Sequence, residues 1–330
     1  MNNKPVSINR NKKGALCLHN FSLDSLAEQY GTPLYILCEE TIQKNCRSYT
    51  APLKQHYPDH NVIYASKANL NIGLANLMVE EGLGLDVVSG GELYTVLQTK
   101  VDRNKIYFHG NNKSESELQL AIENNVKIVI DNIDELECIS TLTTPNTPAQ
   151  LLIRLKPEID AHTHDYIKTG NIDSKFGIDQ KDLLHVIGLI QEKNIPSAPL
   201  NFCGIHSHIG SQIFDIKPFE ELVLLMVQHL VSIKNTFNIN VKELNLGGGI
   251  GIKYTEEDAP LDLEPFIKTI TAQLISECKK HNLSLPKLCF EPGRSIIGNA
   301  GLTLYKTGLI KDIPNVKSYI FVDGGMADNP

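Results

Sequence analysis

Eight short apolar runs, each followed by a segment long enough to cross back over a sheet, constrain this chain more than any other feature of its 330 residues. They are 61–66 (NVIYAS), 83–89 (LGLDVVS), 106–109 (IYFH), 126–130 (VKIVI), 151–155 (LLIRL), 203–208 (CGIHSH), 243–246 (ELNL) and 287–290 (KLCF). Each is rich in β-branched or aromatic residues and is bounded by chain breakers, which is the pattern of a strand. Between them, 72–82, 115–125, 180–194 and 218–235 repeat apolar residues every three to four positions, as amphipathic helices do. Apolar strands that alternate with helical crossovers require a parallel sheet buried on both faces, and eight such units can close on themselves. The expected fold is an α/β (β/α)8 TIM-like barrel, with a doubly wound open sheet as the competing arrangement.

In a closed barrel the carboxyl ends of all strands meet at one mouth, so the residues after each run matter most. They are Lys67-Ala68-Asn69, Ser89-Gly90-Gly91-Glu92, His109-Gly110-Asn111, Asp131-Asn132, the polar stretch from Lys156, His208-Ile209-Gly210-Ser211, Gly247-Gly248-Gly249 and Glu291-Pro292-Gly293-Arg294. The glycine-bearing exits of the seventh and eighth runs are where such barrels hold a phosphate, because glycine lets backbone amides approach the anion. A strand-end lysine beside a phosphate cradle, an acid and a histidine suits pyridoxal 5'-phosphate. Lys67 would bond the aldehyde carbon, and Glu291 would face the pyridine nitrogen and keep it protonated. His208 would stack on the ring, Ser211 with the amides of Gly247, Gly248 and Gly249 would hold the phosphate, and Arg294 would grip a substrate carboxylate.

Four motifs carry a resemblance: YASKAN (64–69), HSHIGSQ (206–212), NLGGGIG (245–251) and EPGRSI (291–296). In this order and at these separations the chain, from about Tyr30 onward, resembles the fold-type III pyridoxal phosphate decarboxylases. HTHDYIKTGNIDSKFGI (162–178) and FVDGGMADNP (321–330) resemble the diaminopimelate branch more than the ornithine or arginine branches. The resemblance implies decarboxylation of meso-2,6-diaminopimelate to L-lysine, in lysine biosynthesis, by a homodimer with shared sites. Another basic amino-acid or carboxynorspermidine decarboxylase, or a catalytically silent cofactor-binding regulatory homologue, are the alternatives. It also places Asp86, Arg154, Gly293 and Arg294 near the cofactor, with Lys67, His208 and Glu291 as the catalytic set. The cysteine and tyrosine that complete the family's site lie downstream of any match here, so the chain is expected to be a piece of a longer enzyme. A complete product of this length, with weak activity or none, is the alternative.

Each residue also has a plain structural reading. A single lysine is most often solvated, and a glycine triplet alone marks no more than a turn; order and spacing of the four motifs decide otherwise. Two HxH pairs, His162/His164 and His206/His208, raise a zinc site. The expectation is that one member of each pair faces inward and the other outward, and no CxxC or HExxH accompanies them, so no metal is expected. Lys175 reads as a loop lysine.

A net charge of −7 gives no footprint for nucleic acid, and no apolar run approaches a membrane span. Seven scattered cysteines read as reduced thiols and the expected location is the cytoplasm, with an organellar address left open by the N-terminus MNNKPVSINRNKKG. The expected organisation is 1–33 as the N-terminal part of a β domain, 34–301 as the cofactor-binding barrel, and 302–330 as the start of the C-terminal part of that β domain. A strand is expected at 14–21, another at 34–40 leading into the barrel, strands at 302–310 and 318–325, and a turn-rich connector at 141–150.

Overall fold

The computed structural model describes residues 4–159 and 175–328. Fifteen strands are found among them: β1 Ile8–Arg10, β2 Leu16–Leu18, β3 Phe21–Ser22, β4 Leu34–Leu37, β5 His60–Ala65, β6 Gly84–Val87, β7 Ile106–Phe108, β8 Lys127–Ile130, β9 Ala149–Leu155, β10 Leu200–Ser207, β11 Glu243–Asn245, β12 Lys287–Phe290, β13 Gly301–Leu304, β14 Thr307–Ile313 and β15 Lys317–Val322. The eight apolar runs become β5 to β12. They pair in parallel in chain order, and β12 returns to β5 to close the barrel.

Helices cover the barrel where the apolar periodicity placed them. Ile72–Glu80 starts at Asn71, whose side chain accepts from Leu74 N, and Glu115–Glu123 starts on a Ser114/Glu117 capping box. Lys217–Phe237 has Pro218 in its first turn and stops at Asn238 in the left-handed region. Their buried faces and the outward strand residues make one continuous core, including Tyr64, Leu85, Phe108, Ile128, Ile153, Ile205, Leu244 and Leu288.

Inside the barrel a second cluster, Ile63, Tyr107, Val129, Leu152, Cys203 and Cys289, fills the lumen. Below it the first residues of β8 and β11 form a buried ion pair, Lys127 with Glu243, and Tyr107 OH donates to Glu243 Oε2 at 2.8 Å. Side chains alternate along a strand, so on β5, β7, β8, β9 and β12 the residues two places after these plugs also face inward, toward the mouth; on β10 an irregularity between Phe202 and Gly204 shifts the parity to His206.

The strand expected at 34–40 does not enter the barrel: β4 pairs antiparallel with β13, joining the two flanks of the barrel. The run at 14–21 folds as two short strands bent at His19, whose φ is 52°, and β1 completes their sheet. The run at 302–310 is broken at Tyr305-Lys306, so β13 stays with β4 while β14 pairs with β15. Leu309, Ile310, Ile320 and Phe321 on that hairpin are exposed.

Candidate active site

The two-residue period delivers the chemistry. From the plug residues Ile63, Tyr107, Val129, Leu152 and Cys289, two steps lead to Ala65, His109, Asp131, Arg154 and Glu291, all at the carboxyl ends of their strands. Asp86, His206 and Asn245 have the same orientation on β6, β10 and β11. A cavity of about 680 Å³ opens there, lined among others by Lys67, Asp86, His109, Arg154, His206, His208, Ser211, Gly248, Gly249, Glu291, Gly293 and Arg294. Every site residue expected from sequence except Gly247 lines it, and Gly247 sits directly behind as the first residue of the glycine turn.

Lys67 lies in the single 3-10 turn Ser66–Ala68 that follows β5 and is exposed toward the cavity. Glu291 is buried and takes three hydrogen bonds: His109 Nε2 at 2.8 Å and Asn245 Nδ2 at 2.7 Å on Oε1, and His206 Nε2 at 2.9 Å on Oε2. Burial alone would raise this carboxyl, but contact with His109 and His206 outweighs it and holds Glu291 well below the usual carboxylate range. Burial pushes the His206 imidazole down to about 4 and takes His208 well below its ordinary value. Burial, opposed by His109, lifts Asp86 to about 6. Arg154 stacks its guanidinium 4.7 Å from the Phe176 ring centroid and lies 3.8 Å from Asp131.

The opposite wall carries the anion-binding groups. Arg294 Nε donates to Ser211 Oγ at 3.2 Å and Nη1 to Tyr254 OH at 2.6 Å, which places the guanidinium beside Ser211. Gly247 has φ 68°, and a Cβ on Gly248 would stand 2.1 Å from the Glu291 carbonyl oxygen, so the turn passes where no larger residue fits. Its amides are partly engaged already: Gly247 N donates to Asn245 Oδ1 at 2.9 Å and Gly248 N to His208 Nδ1 at 3.3 Å. Arg294–Ile297 is a single helical turn, so the amides of the glycine turn, Ser211 and Arg294 are the groups that could face an anion.

The expectation for the HxH pair at 206 and 208 is overturned, because residues two apart on a strand share a face; His206 and His208 both line the cavity. His162 and His164 lie outside the described residues. Among the described residues, His109, His206 and Glu291 form a group close enough to reach one metal ion. Their contacts are hydrogen bonds, and the Asn245 amide aims a further N–H at the same carboxylate, an arrangement that serves an anion rather than a cation. Lys175 sits with its amine 5.1 Å from the Phe176 ring centroid, as a loop residue. His109 and Asn245 were missed as partners of Glu291. Asn245 opens the NLGGGIG motif and His109 ends the third run, but only inward parity at a strand end could have paired them with Glu291.

Comparison with known proteins agrees with this geometry. Residues 39–298 match the family model described as pyridoxal-dependent decarboxylase, pyridoxal binding domain. A diaminopimelate decarboxylase of Synechocystis is 43% identical over 336 residues, covering 99% of this chain and 71% of that protein. One from Bacillus methanolicus is 42% identical over 324 residues, covering 97% of this chain and 74% of the relative. The crystal structure of diaminopimelate decarboxylase from M. jannaschii in complex with L-lysine has a TM-score of 0.86 at 33% identity, with 99% of this chain and 75% of that chain covered. With a lysine, a buried acid and a glycine turn converging on one barrel mouth, and with this match over most of its length, the chain belongs to the pyridoxal-dependent decarboxylases.

Proposed function

We propose that the chain removes one carboxylate of meso-2,6-diaminopimelate as carbon dioxide to give L-lysine, with pyridoxal phosphate as cofactor. The observation that carries this reading is the convergence on one cavity of Lys67, the ionised Glu291 and the Arg294/Ser211/glycine-turn wall. The relatives named above and the lysine complex bear diaminopimelate decarboxylase in their names.

The residues fit the cofactor. Glu291 Oε2 takes one donor where Oε1 takes two, which leaves it capacity toward the cavity, and the buried Asp86 Oδ1 has no hydrogen-bond partner. Gly248 lets the turn lie against Glu291 beside the cavity, since a Cβ there would stand 2.1 Å from that residue's carbonyl oxygen. When bound, pyridoxal phosphate supplies an electron-withdrawing ring that accepts the electron pair left by departing carbon dioxide. Lys67 would hold the aldehyde carbon through its amine and yield it to the substrate's amino group. Glu291 would accept a hydrogen bond from the protonated ring nitrogen. His208 would cover one ring face; Asp86 and Arg154 would flank the ring. Ser211, Gly247, Gly248, Gly249, Gly293 and Arg294 would hold the phosphate. For Arg294 the bond to Ser211 favours this role over the substrate carboxylate.

The working unit is proposed to be the cofactor-binding unit, 34–301, which opens with β4 on the flank of the barrel, with parts of a β domain at 1–33 and 302–330. A homodimer with shared sites is proposed with it, the exposed apolar side chains of β14 and β15 being surface that association could cover; sedimentation analysis tests this. No described helix is long and apolar enough to cross a membrane. The seven free thiols, six of them buried, suit the reducing cytoplasm.

The test is carbon dioxide release from meso-diaminopimelate by purified chain loaded with cofactor, beside other basic amino acids and carboxynorspermidine. Release from one of those and not from diaminopimelate would overturn the substrate. Borohydride reduction and peptide mapping should place the cofactor on Lys67, and Lys67→Ala should lose the yellow absorbance entirely on dialysis. A Lys67→Ala protein that stays yellow would overturn the anchor.

A further inference from the structure

Glu291 is held by groups that carry no fixed charge, and their orientation is not free. Gly247 N, a backbone donor that cannot turn round, donates to Asn245 Oδ1 and so fixes which end of the Asn245 amide meets Glu291: the NH2 end. His206 Nδ1 is buried and has no hydrogen-bond partner, whereas its Nε2 lies 2.9 Å from Glu291 Oε2. A neutral His206 protonated on Nε2 satisfies this arrangement; a doubly protonated ring would bury an unmet N–H. A proton on Glu291 Oε1 would confront the Asn245 and His109 donors. A proton on the side of Oε2 that faces His206 would force that ring into the other tautomer, whose Nδ1–H has no acceptor. A proton on its cavity side would fill the lone pair left there and weaken Oε2 as an acceptor from His206, so each placement breaks or weakens a bond that the ionised form makes.

We propose that His109, His206 and Asn245 are positioning residues that together keep Glu291 an ionised acceptor without neutralising it, and leave a lone pair of Oε2 for the ring nitrogen of the cofactor. A lysine or arginine in their place would hold the carboxylate equally well but cancel its charge. Neutral donors leave that charge available to favour a protonated ring nitrogen. The cofactor end of this inference rests on the pyridoxal phosphate reading; the state of Glu291 does not. The other charged or titratable groups facing the cluster are Asp86 from β6, 3.9 Å from His109 Nε2, Arg154 from β9, His208 after β10 and Lys67 after β5. The Glu291 pKa is lowered despite burial, by attraction to His109 and His206 and by their hydrogen bonds, of which the hydrogen bonds are the part that a neutral clamp supplies.

Infrared titration of the cofactor-free protein, with Glu291→Gln to assign the band, reads the carboxyl directly. The wild type should show no protonated Glu291 down to about pH 5. Replacing both histidines (His109→Leu, His206→Leu) should raise the carboxyl pKa by about 2 units or more, and His109→Gln or His206→Gln, which keep an N–H, should restore most of the shift. In the loaded protein, the nitrogen-15 signal of labelled cofactor should move toward the unprotonated form in the leucine variants and not in the glutamine ones. An unshifted carboxyl in folded leucine variants would overturn the proposal. So would a wild-type Glu291 already protonated above about pH 5, a result that needs no variant to fold. An ionised, donor-dependent Glu291 in a protein that takes up no pyridoxal phosphate would sink the cofactor reading and leave the clamp standing.

Discussion

Gly248→Ala tests whether the mouth is built as tightly as the geometry requires. The added Cβ would lie 2.1 Å from the Glu291 carbonyl oxygen and 2.9 Å from its carbon. An ordinary C···O contact needs about 3.3 Å, so the ends of β11 and β12 must part by roughly 1 Å. They are tied there by Glu291 N to Gly247 O at 2.8 Å and Leu246 N to Cys289 O at 3.0 Å. Stretching one of these buried bonds past its useful length costs about 1–3 kcal/mol, and the overpacking itself about 1–3 kcal/mol. A loss of about 2–6 kcal/mol is expected, measured by urea unfolding of the cofactor-free protein. Gly188→Ala is the control: Gly188 lies within helix Leu183–Lys193 with nothing within 4 Å of the added Cβ, and should gain about 1 kcal/mol. Because both measurements omit the cofactor, the comparison isolates backbone fit. If Gly248→Ala unfolds at the same urea concentration as Gly188→Ala, the close approach of the two strand ends is not a constraint and the account of the turn is wrong.

Lys127→Met should cost about 3–5 kcal/mol by stranding the buried Glu243, and adding Glu243→Leu should recover most of it, as read by denaturation midpoints; equal losses in both would refute the pairing. Stability of the cofactor-free protein should carry a pH dependence traceable to His206. Between 6.5 and about 4 the unfolded chain takes up a proton that folded His206 refuses, so stability falls as the pH drops through that window. The 2.5-unit difference corresponds to about 3 kcal/mol. His208 and Glu291, both depressed, act in the same sense, while Asp86, raised from 3.8 to about 6, acts in the opposite sense. His206→Gln should therefore flatten the loss between neutral pH and pH about 4.5; an unchanged slope would rule out a neutral buried ring.

The barrel was legible because strands buried on two faces must be apolar nearly throughout, and all eight runs form barrel strands. Their lower ends were less legible. β9 begins at Ala149, inside the stretch read as a connector, and β10 at Leu200, three residues ahead of its apolar run, because Ala149 and Gln150 pair with Leu200 and Asn201. Gln150 is polar, and nothing local announces that its Oε1 lies within 3.4 Å of Cys203 Sγ across the strands. The flanking β4 was expected only as the lead into the barrel, and its pairing was illegible for a related reason. Its apolar residues fit a barrel strand or a sheet strand equally well, and its partner, β13, is more than 260 positions away in the chain.

Within the site, motif residues were legible one by one, while the relations between them were not. His109 and Glu291 are 182 residues apart, and their contact exists only once eight strands close on themselves. The misreading of His206 and His208 came from treating positions two apart as opposite ones; His206 on β10 and His208 just past its end both line the cavity.

Set beside each other, the two buried carboxylates of the lumen show what separates support from chemistry. Glu243, at the lower end, is matched by the cation of Lys127 and by Tyr107, so its charge is cancelled where no substrate comes. Glu291, at the mouth, is satisfied in hydrogen bonds by His109, His206 and Asn245, and none of these need carry a charge. A fold that required only a stable interior would treat the two alike. Leaving the upper carboxylate with no cation in direct contact costs desolvation energy while the cavity is empty, a cost that a positive group arriving from the cavity side, as a protonated pyridine nitrogen would be, offsets.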